Sequence, residues 1–379
     1  MMLSLLPTLR RLTVAATVVA ATVTALSGLS RQAAAEQKTI TDVLGRTVTV
    51  NAPLKRIVLG FYFEDFMAVG TPAAYDSVVG ISREAWESWV PANWAMHTGH
   101  RPSLAQIADV GEVEVQSFSV EKVLSLKPDA VVLADWQYKA LGLDADRLEE
   151  AGVPVIVVDY NAQTLERHVA STLVLGEVTG QSARAKEIAA FYKTAVEDVQ
   201  KRVAAAKQAK PRVYVEFGNK GPAEYSFTYG KNMWGAIATA AGGDNIAAPF
   251  VEWWGPINPE QVLASKPEAI FLSGNESKKN PASIRMGHGV DAAESKARLQ
   301  GYLSRQGWAD LPAVKSGAVY AVYQGASRTL SDFAMVQFFA KQLYPAQFKD
   351  IDPVKNYLDY YARYLPVQPK GTFAVSLKD

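Results

Sequence analysis

The chain has 379 residues, 49% hydrophobic and 20% charged, with a formal net charge of +1 and no cysteine. That length exceeds what one hydrophobic core usually serves, so two domains are expected. The near-balanced charge excludes a basic nucleic-acid binder, and the missing cysteine excludes disulfides, thiolate metal sites and a lipid-bearing N-terminal cysteine.

Arg10 and Arg11 precede an apolar stretch over 12–29, and Ala33, Ala34 and Ala35 place small residues ahead of Glu36. This is the layout of a cleaved secretory signal peptide over 1–35, although the arginine pair fits a twin-arginine signal poorly. A membrane anchor is the rival reading, but Thr13, Thr17, Thr22 and Thr24 make the stretch only moderately apolar, which favours cleavage. Its removal takes away three arginines and no acid, so the mature chain carries −2; with no cysteine to carry a lipid, it is expected to be free in the compartment that receives it.

The first predicted element is a hairpin over 39–50, turning at Leu44, Gly45 and Arg46. Strands over 56–60 and 77–81 follow, then a short helix after Ser119, a strand over 130–134, a helix over 143–151 and a strand over 154–159. Residues 164–210 lack strand character and read as helix, interrupted at Thr179 and Gly180; the lysines of 201–210 are its solvated face and end. The second half replays the order, with a strand over 212–216, a helix over 234–241, a short helix, and strands over 269–273 and 318–323. Strands alternating with helices predict an α/β fold: two doubly wound lobes with parallel sheets. One long, stiff linking helix joins them, with a ligand cleft between. The expected divisions are 1–35 signal peptide, 36–162 first lobe, 163–210 linker and 211–379 second lobe.

An internal repeat supports the two-lobe reading. Residues 119–133 (SVEKVLSLKPDAVVL) return as 258–272 (NPEQVLASKPEAIFL), identical at 7 of 15 positions. Each copy is a short amphipathic helix, a Lys-Pro stop and an apolar strand. Glu121 and Glu260 recur in the first turn, where the helix dipole favours a carboxylate; two of them in a duplicated unit suggest a two-footed docking surface.

The TDVLGRTVTV opening, the KRIV strand, the two E-x-V-L-x-x-K-P-[DE] units and the helical linker together resemble the helical-backbone class of periplasmic substrate-binding proteins. The resemblance runs over about 41–344. It implies a binding component of an ABC importer for ferric siderophores, haem or cobalamin, which delivers its cargo to a permease dimer. In that class one glutamate on each lobe pairs with permease arginines. The matching positions are Glu121 and Glu260, with Glu112 and Glu114 close to the first.

In open α/β sheets ligands bind beyond the carboxyl ends of the strands. The residues there are rich in aromatics, suited to a broad organic surface. From the first lobe come Tyr62, Arg83, Trp86, Trp136 and Tyr160, beside Phe61, Phe63, Glu64 and Trp89. The second lobe supplies Tyr225, Tyr229, Trp253, Trp254 and Arg328, beside Lys220, Lys231, Glu276 and Gln324. Arg83 and Arg328 would meet a carboxylate or catecholate; each could instead pair with a neighbour such as Glu84 or Asp332. Ser327 would cap a following helix whose amides favour an anion. An anionic iron chelate, a ferric siderophore, is therefore the leading ligand, with haem, cobalamin or a molybdate-type oxyanion as alternatives.

The segment 83–111 shows no regular period and reads as a lid. His97 and His100 within it, and His288 in a polar insert, are weak metal candidates; His168 reads as a surface residue of the linker. No G-x-S-x-G elbow or phosphate loop is present, so an enzyme is not expected. Nor is a resident cofactor or a nucleic-acid partner, and the chain is expected to act as a monomer.

Overall fold

A computed structural model describes residues 36–162 and 164–378; the signal-peptide expectation for 1–35 lies outside the described residues. The chain enters through an antiparallel hairpin, Glu36–Thr41 against Thr47–Ala52, with Gly45 in the left-handed region at its turn.

The first sheet is wholly parallel. Its spatial order is Ala108–Asp109, Val78–Ile81, Ile57–Leu59, Ala130–Ala134 and Val155–Val158. The two central strands, Ile57–Leu59 and Ala130–Ala134, are buried at every residue, because helices cover both faces and no alternation with polar residues is tolerated. The winding reverses beside Ile57–Leu59, which opens a crevice beyond the carboxyl ends of that strand and of Ala130–Ala134.

The second sheet has a parallel centre, Asp244–Asn245, Arg212–Phe217, Ala269–Gly274 and Val319–Tyr323. Antiparallel strands finish its edges, Thr228–Tyr229 and Trp254–Gly255 on one side and Ala374–Ser376 on the other. The expected order stopped at residue 323. Beyond it the chain adds helices Phe333–Leu343 and Pro353–Tyr364, rich in buried aromatics.

The linking region is two helices, Leu165–Thr179 and Ser182–Ala205, reversing at Gly180, whose φ of 71° suits a left-handed helix end. The first packs on the hairpin and on Phe63–Gly70; the second packs against Phe63–Gly70 and also against Phe333–Leu343, so it is the 24-residue Ser182–Ala205 that crosses between lobes. His168, expected at the surface, is wholly buried, with Nε2 3.0 Å from Asp332 Oδ2. Nor is 83–111 irregular. It forms the helical turn Glu84–Ser88 and helix Pro91–His100, and Trp86 and Trp94 sit in the first-lobe core.

Candidate ligand cleft between the lobes

The crevice beyond Ile57–Leu59 is walled on the other side by the segment after Val319–Tyr323. The resulting cleft is narrow, about 80 Å³. Phe61, Tyr62, Phe63, Glu64, Trp86, Trp89 and Asn93 line it from the first lobe, and Tyr323, Gly325, Ser327, Arg328 and Thr329 from the second.

Two of these residues are strained. Tyr62, with φ of 56°, stands immediately before helix Phe63–Gly70, and Arg328, with φ of 62°, leaves Val319–Tyr323 by a tight turn. Neither is glycine, so each left-handed conformation is held by its surroundings, a pattern that clusters at ligand sites. Tyr62 is fixed by its hydroxyl donating to Asn161 Oδ1 at 2.8 Å.

The Arg328 guanidinium lies 5.2 Å from the centre of the Phe61 ring. Among the described residues it forms no ion pair with any carboxylate, and burial pulls its affinity for the proton below the ordinary value. Phe61 belongs to an aromatic wall. Its ring meets Trp136 edge-on at 5.6 Å, and Trp89 and Trp136 stack at 6.4 Å. The buried indole nitrogen of Trp136 has no hydrogen-bond partner. Trp136 itself stands behind Phe61 and Trp89 and does not line the cleft. A cation without a counter-ion, set against flat aromatic surface, is suited to an anion carrying rings or apolar bulk.

Below the wall, carboxylates from the first turn of Phe63–Gly70 fasten the lobes together. Asp65 accepts from the Thr329 hydroxyl at 2.9 Å and the Leu330 amide at 2.7 Å, both on the second lobe. Burial pushes its carboxyl up to about 7. Glu64 accepts from the Tyr361 hydroxyl at 2.9 Å and lies 2.7 Å from His97 Nε2. Burial would raise Glu64, but the His97 contact outweighs it and holds the carboxyl below its usual range.

Several expected site residues fall elsewhere. Arg83 donates to the carbonyls of Ala105 and Ile107 at 2.9 and 2.6 Å and does not line the cleft, because the turn after it directs the side chain along the first lobe. Tyr160 is fully buried behind Tyr62 and bonds Thr172. Tyr225 accepts from Trp308 Nε1 beneath the Arg305 guanidinium, which a buried ion pair joins to Glu216. Tyr229 is buried and donates to Gln324, next to the cleft, and burial raises its hydroxyl to about 12. Trp253 and Trp254 are half-exposed at the sheet edge, where Trp254 meets Phe227. Trp86 does reach the cleft, stacked on Phe63 at 4.7 Å.

Lys220 and Lys231 are spent on exposed pairs with Glu224 and Glu252. The helix-capping hydroxyl is Thr329, not Ser327, which donates to the Gln324 carbonyl; the Leu330 amide serves Asp65 and is not open to a ligand. No group of three or more His, Asp or Glu among the described residues has the geometry to hold a metal ion. His97 and His288 are nonetheless buried, with His97 Nδ1 and both nitrogens of His288 unpartnered. Asp65, Asn93, Tyr323 and Thr329 escaped sequence reasoning. The position of Asp65 directly after Glu64 was the one available signal.

Glu121 and Glu260 are exposed at the first turns of Val120–Ser125 and Pro259–Ser265, and neither has a basic partner among the described residues. Glu112 is buried, accepting from Gln137 Nε2 at 2.8 Å, which removes it from any docking surface.

Residues 60–324 match the family described as periplasmic binding protein. The chain is 25% identical over 324 residues to an uncharacterized ABC transporter substrate-binding lipoprotein of Bacillus subtilis, covering 82% of this chain and 87% of that one. It is 29% identical over 185 residues to the vitamin B12-binding protein of Salmonella typhi, 48% of this chain and 65% of that protein, just under two thirds of its length. Among solved structures, the TroA-like periplasmic binding protein FepB from Veillonella parvula has a TM-score of 0.83 at 34% identity, covering 89% of this chain and 99% of its own.

Proposed function

The chain belongs to the periplasmic binding protein family and is a substrate-binding component of an ABC importer, not an enzyme; we propose that its cargo is an anionic iron chelate, a ferric siderophore, held between the lobes. The observation that carries this reading is Arg328, a guanidinium in strained backbone that lines the interlobe cleft against Phe61 and has no carboxylate paired with it. Leaving a desolvated cation unpaired costs free energy that an anionic ligand recovers on binding. The aromatic wall of Phe61 and Trp89, backed by Trp136, supplies the flat surface that a catecholate or aryl chelator covers. On the outside, the exposed and unpaired Glu121 and Glu260, in equivalent positions of a duplicated unit, are the proposed contacts to the permease subunits.

Titration of tryptophan fluorescence with ferric siderophores, haemin, cobalamin and molybdate tests the cargo. One ferric chelate is expected to quench saturably, and Arg328→Met to raise its Kd by roughly 10- to 100-fold, the worth of a charge-assisted hydrogen bond. The name of the Salmonella relative favours a second reading, cobalamin. A corrin that binds wild type and Arg328→Met equally, with no ferric chelate bound, would replace the siderophore by cobalamin.

A further inference from the structure

The internal repeat is wider in space than in sequence. The residue preceding strand Ile57–Leu59 is Arg56, and the first residue of Arg212–Phe217 is Arg212, so each lobe sheet opens on an arginine. Arg56 donates from Nε to the Lys127 carbonyl at 3.0 Å and from Nη2 to the Leu126 carbonyl at 2.6 Å. Arg212 donates from Nε to the carbonyls of Ser265 and Lys266 at 3.0 and 3.1 Å. In both lobes the acceptors are the carbonyls at and just past the end of the short repeat helix.

The backbone completes each copy. The Arg56 carbonyl accepts from the Asp129 amide at 2.7 Å, while the Asp129 carboxylate accepts from the Arg56 amide at 2.9 Å. The Arg212 carbonyl accepts from the Glu268 amide at 2.8 Å, and the Glu268 carboxylate from the Arg212 amide at 2.9 Å. Both helices stop on a left-handed lysine before proline, Lys127 at φ 46° and Lys266 at φ 47°. A non-glycine residue there needs outside support, and a guanidinium on the exposed carbonyls supplies it while complementing the negative end of the helix.

We propose that Arg56 and Arg212 are positioning residues for permease docking, a duplicated brace that fixes the helices presenting Glu121 and Glu260. The inference rests on the docking role of those glutamates. Helices of six and seven residues are too short to hold themselves, so the spacing of two carboxylates on separate lobes depends on what pins each helix to its sheet. The guanidiniums lie at the opposite end of each helix from the glutamate and act on the permease only through it.

The test is binding of the ligand-free mature protein to its nanodisc-embedded permease, with native hydrogen exchange as a second readout. Arg56→Ala/Arg212→Ala is expected to weaken binding at least ten-fold, and to lose amide protection in 122–126 and 261–265 but not in the central strands. Arg56→Lys/Arg212→Lys, which keeps a cation at each helix end, is expected to recover part of the loss. Glu121→Lys/Glu260→Lys tests the underlying reading: if it binds as wild type does, the docking role fails. If that variant loses binding while the double alanine variant keeps it, the brace alone is overturned. Protection lost throughout both sheets would also overturn it, showing a general packing role.

Discussion

Asp65 is a buried carboxyl whose two acceptor bonds cross between lobes, and its proton equilibrium should be visible in stability. Its value is raised from 3.8 to about 7 because burial disfavours the charge. The folded state therefore binds this proton more tightly than the unfolded chain, and the associated stability is complete below pH 3.8 and lost as pH rises through 7. His168 acts in the same direction: burial opposes its charge, but Asp332 more than compensates and raises it. His288, which burial pushes down to about 4, acts oppositely, so its stability is present above 6.5 and lost as pH falls. Both histidine contributions are common to wild type and an Asp65 variant and cancel in their difference. Asp65→Asn keeps an acceptor for Thr329 and Leu330 and cannot titrate. Urea unfolding free energies should fall between pH 6.5 and 8 by about 1 kcal/mol more in wild type than in the variant, all other groups cancelling. Equal slopes would mean that Asp65 stays ionised in the fold.

At the scale of elements, the reversal between the two linker helices depends on a close approach. A Cβ on Gly176 would lie 2.4 Å from that of Ala185 and 3.3 Å from the Ser182 Cα, so the helix axes can meet only with glycine there. Gly176→Ala is expected to destabilise by about 1–3 kcal/mol as overpacking forces the pair apart. Gly99, in helix Pro91–His100, is the control: an added methyl there would have nothing within 4 Å, and Gly99→Ala should stabilise by up to about 1 kcal/mol. Urea midpoints for the two variants moving in the same direction would refute the packing argument. The break itself was readable, because Thr179 and Gly180 interrupt an otherwise helical composition. So were strands whose apolar runs stand between polar residues behind a proline stop, such as Ala130–Ala134, found to the residue. Residues 84–106 were not. Pro91 and Pro102 look like loop punctuation, yet each occupies the first position of a helical turn, where its missing N–H costs nothing. The strand-end rule located Tyr62, Trp86 and Arg328, since topology alone puts strand ends at the crevice. It could not reveal that Arg83 turns along its own lobe or that Tyr160 points into the core, because side-chain direction after a strand depends on the local φ and ψ.

For the whole molecule, the size of the cleft and the way the lobes are joined constrain how cargo enters. About 80 Å³ is far below the roughly 300–1,000 Å³ of ordinary small-molecule sites, so the walls must part to admit a ligand of ordinary size. The crossing helix Ser182–Ala205 packs against both lobes, and the Asp65, Glu64 and Asp332 hydrogen bonds tie them below the cleft. A packed helix resists bending, and each buried carboxylate would lose its donors if the lobes swung widely, at about 1–3 kcal/mol per unsatisfied group. Opening should therefore be confined to the mouth, where Trp89, Val90 and Arg328 line the rim without crossing between lobes by hydrogen bonds. Small-angle scattering of residues 36–379, with and without whichever ligand binds most tightly, is expected to show a change in radius of gyration below about 1 Å. Tryptophan fluorescence should change strongly in the same samples, because the indoles of the wall are the groups that move. A contraction of several ångströms would show that the helix bends as a hinge, and the buried carboxylate bonds would then have to break and re-form with each cycle of loading.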